Sequence, residues 1–171
     1  MRKIEFDLNG AKATAVMLDE VVPKTCDIIW NRLPLEGMAI HAKWAGREFM
    51  LHLGGENRIL LEPETPNKKA KIPYGLGTIS YFYREAGVLR GVQREYSPEF
   101  QKGLIEFAIY YGDRAPSMQD PGRKPPAGKQ FSNLFAIFEE PIPDDFVAQA
   151  DSLNYEGLKP LVVRQKLGGK K

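Results

Sequence analysis

The stretch "MAIHAKWAGREFMLHL", residues 38–53, holds both histidines of the chain, together with a lysine and a glutamate. An imidazole beside a carboxylate can move protons near neutral pH, and an ammonium group can hold a carboxylate or steady an oxyanion. Whether these groups meet depends on register. If Gly46-Arg47 forms a two-residue hairpin turn, His41 faces His52, Lys43 faces Met50 and Ala45 faces Glu48. One face then carries Ile40, Ala42, Trp44, Phe49, Leu51 and Leu53, and the other His41, Lys43, Ala45, Glu48, Met50 and His52. A slip of one residue mixes the apolar and polar sets, so burial favours this register.

Two further stretches add to the polar face. "GTISYFYR" (77–84) and "GLIEFAIYYG" (103–112) are strand-like and aromatic, and they contribute Arg84, Glu106 and Tyr110, with Tyr83 near. The candidate catalytic residues are His41, Lys43 and Glu106: His41 or Glu106 as base, Lys43 with Arg84 as holders of negative charge. Tyr81, Phe82, Tyr83, Arg84 and Tyr110 are the candidate ligand-binding residues. The competing reading is a solvated barrel face, because charged residues alternating with apolar ones mark any half-exposed strand. Cross-strand His41 and His52 with Glu48 or Glu106 offer a zinc-like set, but their spacing matches no established metal motif. No metal and no cofactor is expected. Nothing resembles a P-loop, a dinucleotide fingerprint or a Ser-His-Asp arrangement, and "HLGGEN" reads as a turn rather than a phosphate cradle.

These residues need a scaffold, and hydrophobic periodicity supplies one. "KIEFDLNGAKATAVMLDE" reads as two strands about an Asn9-Gly10 turn. "VPKTCDIIWNRLP" (22–34) is an amphipathic helix: Pro23 suits its first turn, Cys26, Ile29, Trp30 and Leu33 recur at helical spacing, and Pro34 helps stop it. In 103–112, Ile105, Phe107, Ile109 and Tyr111 alternate with Glu106, Ala108 and Tyr110. "SNLFAIFEE" is another strand, "PDDFVAQADSL" a short second helix and "LKPLVVRQK" a last strand. Loops at 62–73 and 114–130 are rich in Pro and Lys and show no periodicity. About eight short strands with two short helices predict a mainly β protein, a closed barrel whose ends the helices cover, with residues 1–171 as one domain.

Bulk composition narrows the function classes. A net charge of +2 in 171 residues makes no electrostatic case for nucleic acid or an anionic membrane. The one cysteine, Cys26, falls within the helix pattern and reads as a small buried hydrophobe. No apolar signal-peptide core and no membrane-length apolar run is present, so a reduced, cytoplasmic protein is expected.

The opening helix also carries a resemblance. "VPKTCDIIWNRL" resembles the first helix of cyclophilins, "MAIHAKW" falls where they have a Phe-His-Arg strand, and "HLGGEN" resembles their Gly-Gly-Asp element. "GLGTISYFYREAG" and "NLFAIFEE" follow in the same order as two more of their segments. The chain is more closely similar to a group of small bacterial cyclophilin-like proteins of unassigned function. It shares "PKTC…RLP", "HAKWAG", "YYGD" and "SNLF" with them, though Lys43 and Ala45 depart from their hallmark Arg and Ser. The resemblance implies a cyclophilin-like barrel with its site on the outer face. More distantly, the chain resembles the cucumopine and mikimopine synthases, as an analogy of fold only.

The same resemblance argues against prolyl isomerisation. Cyclophilins lower a rotation barrier of roughly 18–20 kcal/mol with an arginine fork beside an apolar pocket. Aligning "IHA" with Phe-His-Arg puts Ala42 in the arginine's place, and shifting by one puts Lys43 there. Tyr81, Phe82, Tyr83 and Arg84 stand where cyclophilins keep small residues, and Glu106, Phe107 and Ala108 match the glutamine and phenylalanine strand. Three readings remain: a protein binding or acting on a small carboxylate- or amide-bearing metabolite, a non-catalytic ligand or peptide module, and an interaction subunit or homo-oligomer. A residual prolyl isomerase is the one the residues favour least.

Overall fold

A computed structural model of the chain describes residues 1–43, 46–53, 77–84, 104–112 and 130–167. The elements in order are β1 (Lys3–Leu8), β2 (Ala11–Met17), α1 (Pro23–Arg32), β3 (Leu35–His41), β4 (Glu48–Leu53), β5 (Thr78–Arg84), β6 (Leu104–Tyr110), β7 (Gln130–Phe138), α2 (Asp144–Glu156) and β8 (Lys159–Gln165). The strands close into a barrel in the order β1-β2-β7-β5-β6-β4-β3-β8, every neighbouring pair antiparallel. The expected mainly β barrel with two helices is observed. The loop at 62–73 and nearly all of that at 114–130 lie outside the described residues, as do Trp44 and Ala45.

Local chemistry explains the first elements. Asn9 and Gly10 adopt φ of 50° and 94°, the left-handed values that a two-residue turn between Leu8 and Ala11 requires, and the Gly10 N–H donates to Asp7 Oδ1 at 3.0 Å. Pro23 opens α1, where its missing N–H costs no helical bond, and Thr25, Cys26 and Ile29 are buried on one face. Cys26 lies in the core, its Sγ 3.6 Å from the Phe135 carbonyl oxygen. Beside it Asn133 Nδ2 donates to Thr25 Oγ1 at 2.9 Å, which pairs the polar groups where α1 meets β7.

The helices cover opposite ends. β8 runs from Lys159, whose ammonium donates to Gln149 Oε1 and Ser152 Oγ of α2, to Gln165, whose amide donates to the Trp30 carbonyl of α1. α2 extends further than its sequence signal, to Glu156, and its Asp144 and Asp145 sit at the positive N-terminal end. Phe146 plugs the barrel, 6.0 Å from the Phe49 ring and 5.4 Å from that of Phe138. A bulge in the β5–β7 ladder lets the consecutive residues Phe135 and Ala136 both enter the core.

The β3–β4 hairpin differs from its expected register. His41 lies opposite Phe49, Ile40 opposite Met50 and Ala39 opposite Leu51, and the Ala42 N–H donates to the Glu48 carbonyl at 2.9 Å. The offset is three residues, an odd number, so every side chain of β3 changes face relative to the expectation. The reason lies outside the hairpin. β3 also pairs with β8, where Leu35, Gly37 and Ala39 stand opposite Val163, Leu161 and Lys159 and must point inward with them. A Cβ at Gly37 would come within 2.7 Å of Leu51 Cδ1, so a larger residue there would have to push the end of that side chain aside. His41 follows that parity into the barrel, and the connection to β4 is longer than a two-residue turn.

Phe146→Ala removes a fully buried ring and is expected to cost about 3–5 kcal/mol in urea denaturation. Leu167→Ala, at a side chain 76% exposed, should change stability by less than about 0.5 kcal/mol.

Candidate functional site

Strand alternation places two polar groups on the molecule, one on each side of the barrel wall. The outer one spans β3, β4, β6 and β5. Cross-strand pairing sets Glu48 beside Tyr110, Met50 beside Ala108 and His52 beside Glu106, while Ser80 and Phe82 continue the rows from Ala108 and Glu106. Ala42, Met50, Phe82, Ala108 and Tyr110 form a buried apolar cluster on this face, with Ile40 packed against it. Glu48 and Glu106 are buried within it at 4% and 2% exposure. His52 Nε2 lies 3.4 Å from Glu106 Oε2, so one face offers a proton donor and acceptor side by side.

Ser80 belongs to this face as well. It is fully buried, and its Oγ has no hydrogen-bond partner among the described residues. Its flanking cross-strand neighbours, Ala108 and Leu134, have no side-chain polar atom to offer. A buried hydroxyl left without a partner costs about 1–3 kcal/mol.

The second group lies at the barrel end beneath α2. His41 is 5% exposed, and its Nε2 is 2.7 Å from the Tyr111 hydroxyl. Tyr111 donates to Asp151 Oδ1 of α2 at 3.0 Å, and Arg47 reaches Asp151 Oδ2 from the surface at 3.1 Å. Burial pushes the His41 imidazole below its ordinary value; the Asp151 charge opposes this and Lys43 adds to it. Burial and the bond to Asp151 push the Tyr111 phenol well above its ordinary value, so it remains a neutral donor across the working range.

The candidate residues therefore divide. Glu106, Phe82 and Tyr110 meet on the outer face. His41 does not join them: it points into the barrel, because β8 dictates the parity of β3. Tyr81 is likewise internal, fully buried with its ring 6.4 Å from that of Phe107. Lys43 is exposed in the turn after β3, its N–H donating to the His41 carbonyl. Tyr83 and Arg84 belong to β5, opposite Ile105 and Leu104, and their side chains lie outside the described residues. His41 and His52 face opposite sides of the wall, which separates the pair that a zinc site would need; no group of three ligating side chains occurs among the described residues. Sequence reasoning missed Ser80, which an Ile79-Ser80-Tyr81 alternation would have marked as outward. It also missed Asp151, whose link to Tyr111 crosses forty positions and leaves no local signal.

The depressed His41 makes a pH prediction. Between its folded value and about 6.5 the unfolded chain binds more protons, so stability falls as pH drops through that window and is level above it. Urea midpoints measured from about pH 5 to about pH 8 should show this slope, and His41→Gln should flatten it.

Comparison with known proteins fits this architecture. A solved structure described as McbB in complex with tryptophan matches 98% of the chain with a TM-score of 0.54 at 14% identity, and the chain spans 46% of that structure's length. The likeness is one of fold and supports the cyclophilin-like reading of the barrel. No curated protein matches the chain. Among the described residues no helix is long and apolar enough to cross a membrane. Residues 4–158 match the sequence model described as "Protein of unknown function (DUF3830)". The chain belongs to the DUF3830 family.

Proposed function

We propose that the protein binds a small amide- or carboxylate-bearing metabolite on the outer barrel face formed by β4, β5 and β6. The observation that carries this is the buried Ser80 hydroxyl, unpartnered among the described residues and set among apolar side chains on the face that also holds the His52–Glu106 pair. An amide fits these groups best: its carbonyl accepts from Ser80, and its N–H groups donate to a carboxylate. Met50, Phe82 and Ala108 supply the apolar floor that a small-molecule site needs. A barrel of like fold in complex with tryptophan, itself a small carboxylate, adds support from outside this chain.

Acid–base chemistry on the bound molecule is the second reading, favoured by the 3.4 Å approach of His52 to Glu106. Prolyl isomerisation has no such support. The outward position after His41 is held by Ala42, which brings no guanidinium to a twisting amide.

A thermal-shift screen of cyclic and primary amides, amino acids and keto acids tests the proposal. A ligand at 100 times its dissociation constant adds about 2.7 kcal/mol and raises the melting temperature by several degrees. Ser80→Ala and Glu106→Gln should each weaken the hit at least about tenfold, a loss of about 1.4 kcal/mol, while His41→Gln should retain it. A silent screen, or hits indifferent to both outer-face variants, refutes the site. In the same series the cis–trans exchange of a prolyl peptide should proceed at its uncatalysed rate, and acceleration by the protein would revive the isomerase reading.

A further inference from the structure

The His41 group lies on the other side of the barrel wall from the proposed outer site, and that site leaves it without a role. Its hydrogen-bond directions can be worked out. A hydroxyl has one proton, and Tyr111 gives its proton to Asp151 Oδ1. Toward His41 the phenol oxygen can only accept, so the imidazole must donate through Nε2. A neutral imidazole carries one N–H, so Nδ1 is left as a bare lone pair. That lone pair is buried and has no partner among the described residues. Arg47 holds the far end of the chain through Asp151, which fixes the phenol and with it the tautomer.

The surroundings narrow what can meet Nδ1. On its inward side His41 neighbours Ala39 along β3 and Phe49 across the ladder. The Tyr111 ring stands nearly perpendicular to the imidazole, and Phe146 of α2 closes over Phe49. These surfaces suit an uncharged, mostly apolar molecule. The charges at this end are already paired, Asp151 with Arg47 and Lys159 with Glu156, so a charged molecule would lose its hydration without a free opposite charge to replace it. We propose that the α2 end of the barrel is a second binding site, in which His41 Nδ1 accepts a hydrogen bond from the N–H or O–H group of a small, uncharged, largely apolar molecule. Tyr111 and Asp151 are positioning residues for it, because they act only through the imidazole.

The chain has two histidines, so nitrogen NMR of the histidine-labelled protein can follow His41 directly. The probes are phenol and pyrrole, with anisole and N-methylpyrrole as partners of like shape that lack the donor. The free protein should show the Nε2–H tautomer at His41 with an unprotonated Nδ1. Phenol or pyrrole should move the Nδ1 resonance toward its hydrogen-bonded position, and the methylated partners should bind at least tenfold more weakly, about 1.4 kcal/mol. Tyr111→Phe should release the tautomer preference and weaken phenol by a similar factor; mere loss of packing would leave the tautomer unchanged. The proposal fails if Nδ1 is the protonated nitrogen, or if neither donor probe moves it. It also fails if a cross-peak to a resident water shows that the acceptor is permanently filled. The wild-type spectra decide these points without any variant that might not fold.

Discussion

Closure of the barrel is the constraint on which the rest of this structure depends. In a closed antiparallel sheet each strand answers to two neighbours, and its inward and outward residues are set by both at once. β3 must satisfy β8 as well as β4, and the inward row Leu35, Gly37, Ala39 continues to His41. That parity puts an imidazole inside the wall and Ala42 outside it. The same rule, applied along β4 and β6, sorts Glu48, Met50, His52, Glu106, Ala108 and Tyr110 onto the outer face. No individual contact chooses these positions; they follow from the ring of strands.

Both polar groups depart from ordinary barrel behaviour in the same direction. Outward residues of an antiparallel strand are normally hydrated, yet Glu48, Glu106 and Ser80 are buried. Inward residues near a helix cap are normally apolar, yet His41, Tyr111 and Lys159 sit under α2. The inner group is fully directional: a surface arginine, a carboxylate, a phenol and an imidazole follow one another with one proton assignable to each link. Lys159 shows the contrasting solution, a buried ammonium satisfied by Gln149, Ser152 and Glu156 of a single helix.

The fold was legible because its signals are local. The Asn9-Gly10 turn, the Pro23 helix start, and the alternation of Ile105, Phe107, Ile109 and Tyr111 each fix an element from a few adjacent residues. The site was legible only in part, for the complementary reason. The outward facing of Glu106 and Tyr110 is legible because the alternation along β6 runs without interruption. His41 was misplaced because a turn length was inferred from Gly46-Arg47 alone, whereas the deciding partner, β8, begins more than a hundred residues later. Asp151 was invisible for the same reason, since helix residues have no sequence signal for the strand end that they cap.

The β3–β4 connection also bears on how such a protein can diverge. β3 takes its register from β8 and β4 from β6, so the facing of the two strands does not depend on the length of the connection between them. Length changes between Ala42 and Arg47 carry only a weak entropic penalty, and they leave the strand faces in their frame. Evolution can therefore rewrite the rim beside the outer face without retuning the barrel beneath it. Relatives would then share a core while differing in what they admit.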